Sequence, residues 1–146
     1  MPIRTGQADW HGNLKEGSGK LRTGSGAYEG PYSFMSRFDE GAGTNPEELV
    51  AAAHAGCYSM ALSNGLDQAG FVPSRVSTKA SAHLTKGDDG FAVRKIELDV
   101  EADVPNIDLA AFTEIAEKTK LACPISKLVT GAEITLKVKL LSGSTA

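Results

Sequence analysis

The chain has no excess of basic residues. Its 15 Lys and Arg are set against 18 Asp and Glu, the net charge is −3, and no block of basic residues occurs. The positive footprint with which nucleic-acid binders neutralise phosphates is missing, so no nucleic-acid partner is expected. Long apolar runs are also missing. The longest, LVAAA at 49–53, is far short of the roughly 18 residues a spanning helix needs, and no membrane segment is expected. The opening MPIRTGQADW lacks the apolar core of a signal peptide, which makes the cytoplasm the expected location. Cysteine is scarce, with two residues in 146. That is too few for a disulfide scaffold, and in a reducing cytosol a bond between them would be transient and catalytic rather than structural. His11, His54 and His83 show no metal-ligand spacing with either cysteine, so no metal is expected. The glycine-rich connections do not match a phosphate-binding loop and read as turns.

With 41% hydrophobic residues, the chain can bury a real core, and a single compact domain over 1–146 is expected. Residues up to about 40 read as short strands broken by glycine turns: GQADWH, KLRT and YSFMSRF. In the last, Tyr32, Phe34 and Phe38 share one parity, which turns Arg37 away from the aromatic side. From Thr44 to about Gln68 the signals are helical, with Asn45 as N-cap, Pro46 at the first position and Glu48 completing a capping box. Leu49, Ala53, Cys57, Met60 and Asn64 follow helical spacing, while Ala51, Ala52, Ala55, Gly56 and Ala61 strip the helix of bulk. Such a helix is expected to be buried against another helix or subunit. VSTKASAHL and FAVRKIELDVEADV alternate on either side of a KGDDG turn, which predicts a hairpin with a bulge near Arg94 and Lys95. An amphipathic helix follows Pro105, with Phe112, Ile115, Ala116, Thr119 and Ala122 or Cys123 along one stripe. Pro124 then restarts a short helix, and EITLKVKLL forms a last strand. The expected class is α+β with mainly antiparallel sheet, a buried central helix and a second, broken helix. The C-terminal SGSTA is expected to be disordered.

The two cysteines have different local chemistry. Cys57 lies inside NPEELVAAAHAGCYSMAL, where a mid-helix thiol has neither a cation nor a helix N-terminus to lower its pKa; from that helix alone it reads as a small hydrophobe in an alanine-rich interface. Cys123 precedes Pro124 in KLACPISKLV, and the N–H groups after the proline favour negative charge on it.

The stretch GTNPEELVAAAHAGCYSMALS (43–63), with SRF around Arg37 and CPISKLV (123–129), resembles the OsmC/Ohr family of organic hydroperoxide reductases, closer to the OsmC branch. The match runs from QADWHG at 7–12 to EITLKVKL at 133–140. The resemblance implies an OsmC-like intertwined homodimer with active sites at the subunit interface, and a cysteine peroxidase that uses no metal or prosthetic group. It places the peroxidatic cysteine at Cys57, the resolving cysteine at Cys123, the thiolate-supporting arginine at Arg37 and that arginine's glutamate partner at Glu47. It also implies reduction by an external dithiol, dihydrolipoyl groups on a lipoylated partner protein. His54 matches this branch as well and reads as a packed or solvated histidine with no assigned role.

On that reading Arg37 steadies the Cys57 thiolate and hydrogen-bonds the peroxide, while Glu47 orients the guanidinium. Attack on the peroxide releases an alcohol and leaves a sulfenic acid, which Cys123 converts to a disulfide. Phe38, Met60 and Phe71 are candidate walls for the organic tail of an alkyl or fatty-acid hydroperoxide. Two demands follow. The helices carrying the cysteines must touch, because disulfide formation needs Cα atoms within about 7 Å. Glu47 and Cys57, ten residues apart, are separated by roughly 15 Å on one straight helix. Either that helix starts later than its signals suggest, or the site combines residues of two chains. Two other readings keep the same fold: a redox-inert dimeric binding protein whose cysteines only pack, and a redox sensor that passes its disulfide to a partner.

Overall fold

In a computed structural model that describes residues 1–142, the chain divides into two compact units, Met1–Leu49 and the residues from Val50 onward. Of the C-terminal SGSTA, all but Ser142 lies outside the described residues.

The first unit opens with an antiparallel meander of β1 (Gly6–His11), β2 (Ser18–Thr23) and β3 (Glu29–Tyr32), in that spatial order. Trp10 and Tyr32 pack at 5.2 Å between ring centroids, and Trp10 Nε1 donates to the Gly12 carbonyl at 3.1 Å. Gly12 itself turns the chain at φ +92°, a conformation that other residues rarely adopt.

After β3 the structure departs from the strand expected over YSFMSRF. Phe34–Phe38 form a short helix, α1, capped at Ser33. Ser33 Oγ accepts from the Ser36 N–H at 3.1 Å and Ser36 Oγ accepts from the Ser33 N–H at 2.8 Å. This reciprocal cap outweighs the accidental alternation of aromatics. Phe34 and Phe38 then meet one helical turn apart, at 5.0 Å between centroids. Arg37 does not turn away from the aromatics as strand parity predicted: its guanidinium lies 5.2 Å over the Phe38 ring.

The long helix, α2, spans Pro46–Gln68, and the boundary between the units falls inside it. Asn45 caps it as expected, its Oδ1 accepting from the Glu48 N–H at 2.7 Å. The expected capping box is not completed, because the Glu48 carboxylate takes the Thr44 hydroxyl at 2.7 Å. The buried stripe of α2 is also not the one expected. His54, Tyr58, Leu62 and Leu66, four residues apart, face the core, whereas Ala53, Met60 and Asn64 are exposed. In an alanine-rich helix the few large side chains decide which face is buried.

The second unit continues with β4 (Arg75–Gly87) and β5 (Gly90–Asp103), an antiparallel hairpin whose register shifts where His83 faces Lys95 and Leu84 faces Val93. Arg94 is the extra residue, at the place where the broken parity predicted a bulge. The last strand, β6 (Glu133–Ser142), lies parallel to β5, pairing Ile96 with Ile134 and Leu98 with Leu136. Between them run α3 (Leu109–Ala122), capped by Asp108, and α4 (Pro124–Leu128). Phe112, Ala116 and Thr119 are buried as the stripe predicted, and Cys123 rather than Ala122 continues it. Tyr58, Leu62, Leu66, Ile96, Leu98, Val100 and Phe112 form the centre of the core. The result is α+β with two sheets, antiparallel in every pairing but β5–β6. Among the described residues no helix is long and apolar enough to cross a membrane.

Candidate active site

Cys57 sits midway along α2, half-buried, and Cys123 is fully buried at the joint where α3 ends and α4 begins. Tyr58 helps bring the helices together: its hydroxyl donates to the Ala116 carbonyl on α3 at 2.8 Å. Both cysteines are free thiols with their Sγ atoms 3.0 Å apart. The helices therefore touch at the sulfurs themselves, and a modest approach would make a covalent bond.

The two thiols are not equivalent. Burial pushes the Cys57 thiol up, and its hydrogen bond with Cys123 adds to this, against a weaker pull from the Ile125 N–H. Burial also pushes the Cys123 thiol up, but the hydrogen bond it shares with Cys57, with contributions from Ser126 and the Ile125 N–H, carries it down. Cys123 makes no side-chain capping bond on α4, but Pro124 stands at the first helical position, and the free N–H groups of that first turn favour negative charge. Among the described residues no cation contributes to the shift at Cys57.

The first unit carries the arginine. Arg37 Nε donates to Glu47 Oε1 at 2.8 Å, from a partly exposed guanidinium to a nearly buried carboxylate. α1 supplies Arg37, the first turn of α2 supplies Glu47, and Asn45 Nδ2 joins the segments by donating to the Ser36 carbonyl at 2.9 Å. Glu47 occupies only Nε, so the terminal nitrogens of the fork remain available. Beside them lies a hollow of about 370 Å³, lined by Trp10, Leu14, Tyr32, Phe34, Arg37 and Phe38. Of the other two expected wall residues, Met60 is exposed on α2 beside a separate hollow, and Phe71 packs against the core.

α2 is continuous from Pro46, which removes the possibility of a later start. Glu47 and Cys57 lie on one helix with roughly 15 Å of rise between them.

Sequence reasoning left two further residues without a role. His54, one turn before Cys57, is completely buried with Nε2 2.8 Å from Ser126 Oγ, and burial lowers its pKa. Ser126 stands three residues after Cys123, a position from which a side chain reaches back to the helix cap. That spacing was the signal available in the sequence. Among the described residues no three His, Cys, Asp or Glu side chains gather as a metal site would require.

Residues 39–139 match the family model described as OsmC-like protein. The chain is 49% identical over 140 residues to Peroxiredoxin OsmC of Escherichia coli, covering 95% of this chain and 97% of that protein. It is 32% identical over 98 residues to an organic hydroperoxide resistance protein of Xanthomonas axonopodis pv. citri, covering 66% and 67%. Its fold is similar to the crystal structure of an organic hydroperoxide resistance protein OsmC from Legionella pneumophila, with a TM-score of 0.69 at 23% identity over 95% of this chain and 99% of that one.

Proposed function

The chain belongs to the OsmC/Ohr family, and from that premise we propose that it is a cysteine-based peroxidase, acting as one OsmC-like domain, that reduces organic hydroperoxides to alcohols. The 3.0 Å approach of Cys57 and Cys123 carries this reading. The Cys57 thiolate attacks the outer peroxide oxygen, an alcohol leaves, and Cys57 becomes a sulfenic acid. Cys123 condenses with it, giving a disulfide and water. An external dithiol of the dihydrolipoyl type, on a lipoylated protein, then returns both thiols. No metal or prosthetic group is needed for any step.

No cation among the described residues lowers the Cys57 thiol, and Arg37 with its orienting Glu47 offers one. A homodimer supplies it, with Arg37 of the partner subunit beside Cys57. A guanidinium there lowers the thiol pKa and hydrogen-bonds the peroxide. The exposed small-residue face of α2, with Ala52, Ala53 and Gly56, lets another chain approach closely. The aromatic hollow next to Arg37 suits an apolar tail attached to a polar head, which favours alkyl or fatty-acid hydroperoxides over hydrogen peroxide. Such an activity serves oxidative and osmotic stress defence in the cytoplasm.

Intact mass and free-thiol count before and after one equivalent of cumene hydroperoxide test the reading. The parent should lose both thiols to an intramolecular disulfide, and Cys123→Ser should yield a trappable sulfenic acid at Cys57. Survival of both thiols in the parent would overturn the proposal in favour of a redox-inert dimeric binding protein. Sustained turnover with excess peroxide and dithiol distinguishes the enzyme from a redox sensor.

A further inference from the structure

The two-cysteine cycle leaves one buried polar side chain without a task. His54 is sealed from solvent, and among the described residues its Nδ1 has no hydrogen-bond partner. A half-satisfied buried imidazole is costly where an apolar side chain of similar size would simply fill the space. Its satisfied nitrogen, Nε2, lies 2.8 Å from Ser126 Oγ, and Ser126 stands at the third position of α4, whose N-cap is Cys123; its hydroxyl is among the groups that lower the Cys123 thiol. Histidine and serine thus lie within one helical turn of one of the two cysteines.

The orphaned nitrogen indicates the tautomer. A neutral ring carries a single N–H. Placed on Nδ1, it would be a buried donor without an acceptor, the rarer kind of orphan. Placed on Nε2, it donates to Ser126 Oγ, whose own proton is then free to point at sulfur.

We propose that His54, acting through Ser126, is a positioning residue for Cys123: the Nε2–H holds the serine oxygen so that its hydroxyl donates to the Cys123 sulfur and orients the thiolate toward oxidised Cys57. The proposal rests on the peroxidase reading above. In the step it serves, Cys123 S⁻ adds to the sulfenic sulfur of Cys57 and the S–S bond forms as the S–O bond breaks. The departing hydroxide takes up the proton that Cys123 had released and leaves as water. The serine proton stays on its oxygen throughout, so the pair orients the nucleophile and transfers nothing.

Single-turnover oxidation with one equivalent of cumene hydroperoxide separates the two stages: dimedone trapping reads Cys57 sulfenic acid, and loss of the Cys123 thiol reads condensation. In Ser126→Ala and His54→Leu, Cys57 should oxidise at the parental rate while condensation slows about tenfold or more, the effect of losing a hydrogen bond to a charged group. In His54→Gln, an amide N–H can reach the same oxygen and should bring condensation back to within a few-fold of the parent. Ser126→Ala removes a single oxygen and so covers the case in which His54→Leu does not fold. Parental condensation in Ser126→Ala, or His54→Gln as slow as His54→Leu, overturns the inference while normal Cys57 oxidation leaves the peroxidase reading standing. Failure of Cys57 to oxidise in the parent overturns both.

Discussion

In the N-terminal unit the buried side chains are polar: Ser36, Thr44 and Glu47 are each fixed by hydrogen bonds to neighbours in that unit. In the C-terminal unit the buried set runs from His54 to Ser126 and is mostly aliphatic and aromatic. One unit is ordered by hydrogen bonds and caps, the other by apolar burial. The unit that carries the thiols has its own core. In the proposed function the charge of Arg37 and the nucleophile Cys57 thus belong to different units.

The largest expected effect tests whether the thiol unit alone carries the chemistry. Cys57→Ser should abolish peroxide consumption, and equal rates for variant and parent would remove the basis of the division. Next is stability. Leu62→Ala, in the packed core, should cost about 2–5 kcal/mol in a denaturant titration. The half-buried Leu21→Ala on β2 should cost less than about 1.5 kcal/mol, and equal costs would contradict the contrast. Arg37→Ala, which takes away the partner of the Glu47 carboxylate, should leave the fold intact yet slow Cys57 oxidation about tenfold or more at neutral pH. The pH dependence of Cys57 alkylation should move upward in that variant, and an unchanged curve would mean that something else activates the thiol.

The smallest effect belongs to His54. Burial lowers its folded-state pKa below the ordinary 6.5, so the unfolded chain binds the proton more readily than the folded one. The folded protein should keep its full stability above pH 6.5 and lose some of it as pH falls below that value toward the depressed folded pKa. Denaturation midpoints of the parent and His54→Gln across that range should converge in shape if His54 is not the titrating group.

The sequence was most legible where independent signals agreed. Asn45, Pro46 and Glu48 all mark the same helix start, and the Ile96-to-Ala102 alternation shows both the strand and, through its conflict with Val93, the bulge. It misled where a short cap competed with parity: Tyr32, Phe34 and Phe38 alternate by chance, while Ser33 and Ser36 determine the helix. The core stripe of α2 was hidden because alanine suits every face of a helix, leaving Tyr58, Leu62 and Leu66 to choose. The parallel pairing of β6 with β5 depends on the crossover through α3 and α4, which local pattern does not encode. The residues proposed for the site were named by resemblance alone. The 3.0 Å sulfur contact and the His54–Ser126 bond join positions far apart in the chain and needed the fold.

Gly56 lies on the exposed side of α2 next to Cys57, and a methyl group built on it would meet nothing within 4 Å in its own chain. Alanine there should strengthen the helix by up to about 1 kcal/mol. For the homodimer proposed above, Gly56→Ala is therefore a gauge of what lies outside the chain: a more stable protomer that no longer self-associates would measure, to the width of one carbon atom, how closely a second backbone must come.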